Sequence, residues 1–314
     1  MLLAAQIIPQ PATASWLVEG LWTRCGVGLI GGAPKCCKTW LALDLAVSVA
    51  SGTPALGRFS VRDPGPVLFY GAEDGPAQLS ARIGAIADAR DIDIGDLDLG
   101  LILPHSLRLD TERDRARLTA TIDRHRPRLL VLDPLVRLHR LDENSAGDVS
   151  ALLAELRLLQ RSYQLALVLV HHLRKQGGPV DGQALRGSGD LHAWGDSNLF
   201  LRRRDRHLVL TAEHRSAPPP PPCALELIGE TSPHLRVVEP EELPQEPTAD
   251  LAERIIAALA SADRPLGREA LRQTLRTRNI TLGDALARLR ADGRIERQDG
   301  GFAICHRSRS HPWE

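Results

Sequence analysis

The stretch Gly26-Val-Gly-Leu-Ile30-Gly-Gly-Ala-Pro-Lys35-Cys-Cys-Lys-Thr39 decides how this chain of 314 residues folds. Its first five residues form an apolar strand pattern, and a helical pattern runs from Lys38 to Ser51. The turn between them has the placement of a Gly-x-x-x-x-Gly-Lys-Thr phosphate loop and agrees with that pattern except at its second glycine. In such a loop, backbone N–H groups and a helix N-terminus face the phosphates. The sequence therefore predicts that a nucleotide, expected to be ATP, binds where this strand meets the helix.

The residues expected to contact the nucleotide are Gly32, Ala33, Pro34, Lys35, Cys36, Cys37, Lys38, Thr39 and Trp40. We expect Lys38 to neutralise the β- and γ-phosphates and Thr39 to bind Mg²⁺. Cys37 stands where the pattern has its second glycine, which is favoured where the backbone needs an unusual φ or a close approach. A cysteine at this position is expected to strain the loop or narrow the pocket, which puts fast hydrolysis in question.

Strand and helix patterns alternate outward from this loop. Continuous apolar runs predict strands at residues 26–30, 66–70, 101–103, 128–133 and 165–170. Helical patterns occur at residues 38–51, 78–87, 115–124 and 146–162. Short apolar strands separated by helices are typical of a parallel sheet covered on both faces. We therefore predict an α/β fold with a mostly parallel central sheet, whose ligand lies beyond the carboxyl ends of the strands.

Polar side chains at three other strand ends have the chemistry of nucleotide hydrolysis. Asp133 ends an apolar strand, the Walker-B arrangement in which a carboxylate holds the Mg²⁺ shell; a simple turn residue is the alternative. Glu73 is our candidate base for the attacking water, with Asp74 as the alternative base or as the N-cap of the next helix. His171 and His172 end a further strand, and because successive side chains point to opposite faces, at most one reaches the site.

A glycine-rich segment after the paired histidines carries the last candidate residue. Lys175 and Arg186 frame this segment. An arginine on such a loop can contact the phosphates bound by a neighbouring subunit, so we expect Arg186 to be an arginine finger. A surface salt bridge is the alternative interpretation of Arg186.

The pattern changes after residue 198, and the chain is expected to end in a second, smaller domain. Short strand patterns at residues 198–201, 207–212, 225–228 and 235–238 complete a core domain that spans residues 1–239. An acidic, proline-rich linker follows at residues 240–249. Helix patterns at residues 250–262, 267–277 and 281–292 and a hairpin at residues 293–304 predict a small winged helix-turn-helix domain at residues 250–305, followed by a tail at residues 306–314.

Composition narrows the classes of function. The formal net charge is zero, from 39 Lys and Arg against 39 Asp and Glu, so nucleic-acid binding has to come from local basic patches. The five cysteines show no Cys-x-x-Cys spacing, which argues against a structural zinc site and a disulfide framework. No apolar run reaches the about 18 residues of a membrane span. The first residues lack the basic segment of a signal peptide, so a cytoplasmic protein without membrane contact is expected.

Three segments are candidates for DNA contact. The basic run at residues 202–206 is predicted to form a hairpin turn, and a solvated turn is the alternative to a phosphate contact. Residues 138–150 follow the Walker-B strand and are a candidate mobile loop that couples nucleotide state to DNA. In the predicted winged helix-turn-helix domain, four arginines cluster on the third helix and the wing, where duplex binding would need them: Arg288, Arg290, Arg294 and Arg297.

The motifs occur in a fixed order and together carry a resemblance. They read Gly-x-Pro-Lys-x-x-Lys-Thr-Trp-Leu-Ala-Leu, Ala-Glu-Asp-Gly, Leu-Asp-Pro-Leu-x-Arg-Leu-His, Val-His-His-x-x-Lys and Leu-Arg-Gly-Ser. Over residues 16–238 the chain resembles the RecA-like AAA family of RepA-like hexameric replicative helicases. The resemblance implies that Glu73 is the catalytic base, Asp133 a Mg²⁺ ligand, His172 or His171 the sensor and Arg186 a finger acting in trans. It also implies a homo-oligomeric ring, a hexamer in this family, with ATP at each subunit interface and single-stranded DNA in the channel.

Three functions are consistent with these patterns. The leading hypothesis is an ATP-driven DNA motor, a replicative helicase of a plasmid or mobile element. The second is a nucleotide-gated DNA-binding or assembly ATPase with weak turnover, which Cys37 motivates. The third is a KaiC-like or RecA-like signalling or recombination ATPase with the same fold. The winged helix is expected to bind duplex DNA or a protein partner.

Overall fold

The computed structural model describes residues 15–103, 107–140, 146–172, 189–204, 207–239, 251–262, 264–275, 279–298 and 300–305. The chain divides into two compact units, Met1–Glu239 and Pro240–Glu314. The first unit contains the phosphate loop and a large sheet, and the second is a small helical unit with one hairpin. The 240–249 and 306–314 segments proposed as linker and tail lie outside the described residues.

The first unit contains eleven of the described strands and five of the described α-helices. Its strands are Trp16–Val18 (β1), Trp22–Thr23 (β2), Val27–Gly32 (β3), Val67–Gly71 (β4), Leu99–Ile102 (β5), Leu129–Asp133 (β6), Ala166–His172 (β7), Ser197–Arg204 (β8), His207–His214 (β9), Cys223–Ile228 (β10) and His234–Val238 (β11). Its helices are Lys38–Ser51 (α1), Pro76–Asp88 (α2), Glu112–His125 (α3), Ala146–Tyr163 (α4) and Gly189–Trp194 (α5).

Nine strands form one sheet in the order β11-β10-β9-β8-β3-β7-β6-β4-β5. Strands β3 to β8 run parallel to their neighbours, and β9, β10 and β11 extend the sheet in antiparallel fashion beyond β8. The predicted mostly parallel α/β sheet is confirmed. The register pairs Gly32 with His172 and Gly71 with Asp133, so the ends of β3, β7, β6 and β4 meet at one carboxyl edge.

Helices cover both faces of this sheet. Leu41 and Leu45 of α1 and Leu79 and Ile83 of α2 pack in one apolar core with β-strand side chains such as Ile30. A second core on the other face contains side chains of α3, α4 and α5. The buried strands read as continuous apolar runs in the sequence because both of their faces are covered.

Glycines allow β3 to lie close against β8. A Cβ atom on Gly28 would stand 1.7 Å from the carbonyl oxygen of Ser197, and one on Gly32 would stand 2.7 Å from that of Leu201. Any larger residue would push the two strands apart. The chain therefore needs glycine on β3 at the point where the phosphate loop leaves the sheet.

The second unit has its own small apolar core. It contains the helices Leu251–Ala260 (α6), Arg268–Leu275 (α7) and Asn279–Ala291 (α8) and the antiparallel strands Ile295–Gln298 (β12) and Gly301–Ile304 (β13). Ile255, Leu271, Leu286 and Ile295 are among its buried core residues. Three helices followed by a hairpin agree with the predicted order of elements; its identity as a winged helix stays a prediction.

Two sequence expectations differ from the structure. The basic run was expected to form a turn, but Arg202, Arg203 and Arg204 belong to β8 and pair with β9 as far as His207. The three arginines continue the ladder by pairing with Val209, Leu208 and His207, and Arg203 and Arg204 are exposed there. The short antiparallel pair β1 and β2 was not predicted, since strands of three and two residues give almost no periodic signal.

Candidate active site

The phosphate loop runs from the end of β3 to the start of α1, which begins at Lys38 as predicted. Two of its residues have left-handed backbone conformations: Lys35 has a φ of 64° and Cys37 a φ of 58°. Cys37 precedes the first helical residue with a ψ of 27°, so its backbone takes the left-handed shape that favours glycine. The expectation of strain at Cys37 is thus supported by its dihedral angles, since a Cβ atom in this region costs about 1–2 kcal/mol.

Lys38 points back into the loop that precedes it. Its Nζ atom donates a hydrogen bond of 2.9 Å to the carbonyl oxygen of Ala33, and the residue is buried. Burial lowers the pKa of Lys38, while the nearby Cys36, Asp133 and Glu73 oppose that change. A desolvated cation held inside a loop of backbone amides is the arrangement that a phosphate group would need.

Asp133 lies at the end of β6 and faces the start of α1. Its side chain accepts a hydrogen bond from the Thr39 hydroxyl, and the residue is only 7% exposed. Burial raises the pKa of Asp133 from 3.8 to about 6; Glu73 adds to this change, and Thr39 and Lys38 oppose it. The predicted Mg²⁺ ligands Thr39 and Asp133 are therefore adjacent, and the carboxylate is held at an energetic cost that a bound cation would remove.

Glu73 follows β4 and approaches the same edge of the sheet. The backbone N–H of Ala72 donates a 2.8 Å hydrogen bond to the carbonyl oxygen of Asp133, which ties the two strand ends together. The Glu73 carboxylate lies 3.4 Å from Nε of Arg137 and 4.0 Å from Nε2 of His172. Glu73 is half exposed, so water can reach the carboxylate.

The two histidines at the end of β7 differ in their surroundings. His171 is buried, whereas His172 is partly exposed and pairs in register with Gly32, where the phosphate loop begins. His172 is the one whose ring approaches Glu73. The expectation that only one of the pair reaches the site agrees with this arrangement.

Asp74 belongs to a different cluster from Glu73. Its carboxylate pairs with Arg82 on α2, and the Arg82 guanidinium lies 5.3 Å from the ring centroid of Trp40. The N-cap of α2 is Gly75, and it makes no side-chain cap hydrogen bond, so the alternative role of Asp74 as N-cap is wrong. Trp40 thus contacts α2 through Arg82. Burial raises the pKa of the Cys37 thiol, and the charges of Arg203 and Arg82 oppose that change.

The residues that surround the loop fit a magnesium nucleotide. Mg²⁺ in such sites takes one or two protein oxygens and completes its shell with phosphates and water, which agrees with one hydroxyl and one carboxylate. Within the part of the chain that the structure describes, no group of three or more His, Cys, Asp or Glu could hold a metal ion by itself. The phosphates of a bound nucleotide would complete the donor set at Thr39 and Asp133.

Some candidate residues are not located, and others were missed. Lys175 and Arg186 lie outside the described residues, as does part of the predicted loop at residues 138–150. Arg137 beside Glu73 and Arg203 beside the loop were not predicted as site residues. Arg203 on β8 lies 3.4 Å from the carbonyl oxygen of Lys35. Their positions depend on strand order, which a single sequence does not reveal.

The phosphate loop with Lys38 follows β3 of a mostly parallel sheet, and Asp133 and Glu73 lie at the ends of the neighbouring strands β6 and β4. This arrangement defines a P-loop NTPase with a RecA-like core. Residues 2–178 match the family model described as AAA domain. This match covers more than half of the chain, so the chain belongs to the AAA domain family.

A solved structure shares the fold. It is that of a DnaB-like replicative helicase, described with its interactions with primase. The TM-score is 0.53 and the sequence identity 18%, and the match covers 69% of this chain and 58% of that chain. The likeness supports the RecA-like architecture of the first unit. Among the described residues, no helix combines the length and apolarity needed to span a membrane.

Proposed function

We propose that this protein hydrolyses ATP and is a DNA motor, a RepA-like hexameric replicative helicase of a plasmid or mobile element. The observation that carries the proposal is the meeting of Lys38, Asp133, Glu73 and His172 at one edge of the sheet. This edge belongs to an AAA domain whose fold is shared with a DnaB-like replicative helicase. The proposal includes a cytoplasmic location, a ring of identical subunits and single-stranded DNA in its channel.

Within this proposal, the loop residues Gly32 to Trp40 hold the ATP, and each polar group beside them has one task. Lys38 neutralises phosphate charge that develops during transfer, and Thr39 and Asp133 hold Mg²⁺. Glu73 accepts the proton of the attacking water, since its carboxylate is exposed at the strand end beside the loop.

Two further groups are proposed to respond to the state of the nucleotide. His172 lies between Glu73 and the start of the phosphate loop, a place from which it can sense the γ-phosphate. Arg186 is proposed to complete the site of a neighbouring subunit as an arginine finger. Such an arrangement would make hydrolysis depend on assembly of the ring.

The test is hydrolysis of ATP with and without DNA. Purified protein with Mg²⁺ and ATP should release phosphate faster when single-stranded DNA is added. Glu73→Gln should lower the rate by about 10²-fold or more, because it removes a general base. Glu112→Gln changes a carboxylate that is 86% exposed on α3 and should leave the rate unchanged. Phosphate release that does not respond to DNA would refute the motor.

A second function is favoured by the conformation of Cys37. With a φ of 58° at the loop, a nucleotide-gated DNA-binding or assembly protein with weak turnover is the alternative. In that case ATP would order the ring, and the second unit would contact duplex DNA or a protein partner. Cys37→Gly separates the two functions: a large gain in turnover favours the gated protein, and an unchanged rate favours the motor.

A further inference from the structure

A cavity of about 590 Å³ lies at the edge of the sheet opposite the phosphate loop. We call it the amino-edge cavity, because Gly26, Arg128 and Gln164 in its wall stand directly before or within two residues of the starts of β3, β6 and β7. Strand β3 has six residues that rise about 3.3 Å each, so the cavity is about 20 Å from the loop. It is therefore a separate site from the nucleotide site.

Two guanidinium groups of this cavity share one carboxylate. Nε of Arg24 lies 2.9 Å from one oxygen of Asp63, and Nε of Arg128 lies 3.5 Å from the other. Both arginine side chains are more than two-fifths exposed. One negative charge therefore faces two positive charges, and the outer N–H groups of both arginines can reach solvent or a ligand.

A second pair of guanidinium groups lies around Asp196. Nε of Arg215 is 3.6 Å from Oδ1 of Asp196, and Arg157 pairs with Oδ2. The same Oδ2 accepts a 3.1 Å hydrogen bond from the backbone N–H of Val27, which holds the carboxylate against the sheet. With Arg24, Arg128 and Asp63, the cavity and its supporting residues carry four positive and two negative charges. This surplus occurs in a chain whose net charge is zero.

The chemistry of the wall selects an anion with phosphate oxygens. Guanidinium groups recognise phosphate through paired N–H donors, and hydroxyl and amide side chains such as those of Thr23, Ser216 and Gln164 add further hydrogen bonds. The volume is far larger than one free phosphate ion needs, so the cavity has room for a phosphate group that is part of a longer molecule.

The same wall argues against a peptide and against base stacking. Of the described residues that line the cavity, none is aromatic and none has a branched aliphatic side chain. A peptide would need apolar pockets for its anchoring side chains, and an unpaired base would need an aromatic face. A sugar–phosphate backbone needs neither of these.

We infer that the amino-edge cavity binds the phosphate backbone of a DNA strand. The inference rests on the proposed action on DNA, and it places a DNA contact on a face of the subunit that the nucleotide does not reach. Arg24, Arg128 and Arg215 supply the positive charge, and the contact is independent of base sequence because the wall reaches phosphates only.

The test measures how DNA binding depends on salt. A fluorescein-labelled single-stranded oligothymidylate is titrated with the full chain at several salt concentrations, and anisotropy reports binding. Affinity falls as salt rises, and each lost phosphate contact makes the slope of log affinity against log salt less steep by about 0.7. Arg24→Gln with Arg128→Gln should therefore make the slope less steep by about 1.4. Arg117→Gln, a change of a 70% exposed arginine on α3, is the matched control and should keep the wild-type slope. Retained ATP binding and far-ultraviolet circular dichroism show that the double variant is folded.

A second readout reports the cavity directly. Cys25 lies in the wall, where its thiol donates a 2.8 Å hydrogen bond to the carbonyl oxygen of Gln164. The oligothymidylate should slow alkylation of Cys25 by iodoacetamide several-fold, as read by mass spectrometry. Cys223 on β10 is partly exposed as well and should react at an unchanged rate.

The outcomes are distinguishable from those of the proposed function. An unchanged salt slope in the double variant, or protection of Cys25 by pyrophosphate or polyglutamate but not by DNA, would overturn the inference. DNA-stimulated hydrolysis in the wild type together with that unchanged slope would leave the motor intact. Conversely, a less steep slope in the double variant, together with an ATP hydrolysis rate that does not change when DNA is added, would support DNA binding by the cavity and reject the motor.

Discussion

Replacing Asp133 with asparagine should make the nucleotide-free protein more stable, and the gain should depend on pH. The buried Asp133 carboxyl has its pKa raised from 3.8 to about 6. A carboxyl whose folded pKa is raised binds more protons in the native state, so it lowers stability as pH rises through its two pKa values. A pKa raised to that extent corresponds to a stability cost of about 3 kcal/mol, which is fully present above about pH 7 and absent below about pH 3. Asparagine cannot ionise and removes this cost.

The assay is urea unfolding followed by tryptophan fluorescence. Four of the five tryptophans, Trp16, Trp22, Trp40 and Trp194, lie in the first unit, so the signal reports that unit. The stability gain of Asp133→Asn over the wild type should grow by about 3 kcal/mol between about pH 3 and about pH 7.5.

Two further measurements control this result. Asp98→Asn changes an exposed carboxylate and should give no pH-dependent gain. Adding ATP and Mg²⁺ should stabilise the wild type more than Asp133→Asn, since ligand stabilisation grows with affinity. If the gain does not vary with pH, or the variant is less stable at neutral pH, burial of the ionised carboxylate is not what raises the pKa.

Three other changes test the loop and the sheet. Cys37→Gly should stabilise the chain by about 0.5–1 kcal/mol in urea unfolding, because the relief of left-handed strain exceeds the entropy that glycine adds to the unfolded chain; Cys37→Ala keeps the Cβ atom and should give no such gain. Lys38→Ala should abolish detectable heat on calorimetric titration with ATP, because the Lys38 Nζ atom lies within the loop, whereas Arg117→Ala, which changes a 70% exposed arginine on α3, should retain binding; equal heats would contradict the assignment. Gly28→Ala should cost about 3 kcal/mol or more, since its Cβ would stand 1.7 Å from a carbonyl oxygen of β8, and a normal melting temperature would contradict this close approach.

The sequence predicted the central sheet well for a physical reason. Strands covered on both faces are apolar along their whole length, as β6 and β7 are, so they stand out against amphipathic helices. The boundaries of β5 shifted, since it spans Leu99–Ile102 rather than residues 101–103 and is only partly buried at the sheet edge. Strand order was out of reach, because adjacency of β3 and β7 depends on packing between residues far apart in sequence.

The site could be predicted where a motif fixes local geometry and not where it depends on tertiary packing. The start of α1 at Lys38 follows from the loop pattern, and the carboxylates of Glu73 and Asp133 follow from strand ends. Arg137 beside Glu73 and the pairing of Asp74 with Arg82 carry no sequence signal, since an arginine is common on any surface. The raised pKa of Asp133 likewise depends on burial by side chains from several elements.

The backbone at Cys37 has a consequence for how such proteins are found. The turn at Cys37 requires a positive φ angle and does not require glycine as such. Glycine is only the residue that adopts a positive φ at the lowest cost. Asparagine and aspartate also visit that region readily, so natural variants of this chain should sample those residues at the position as well. A search that insists on the glycine letter would pass over them, whereas one that scores dihedral angles would retain them.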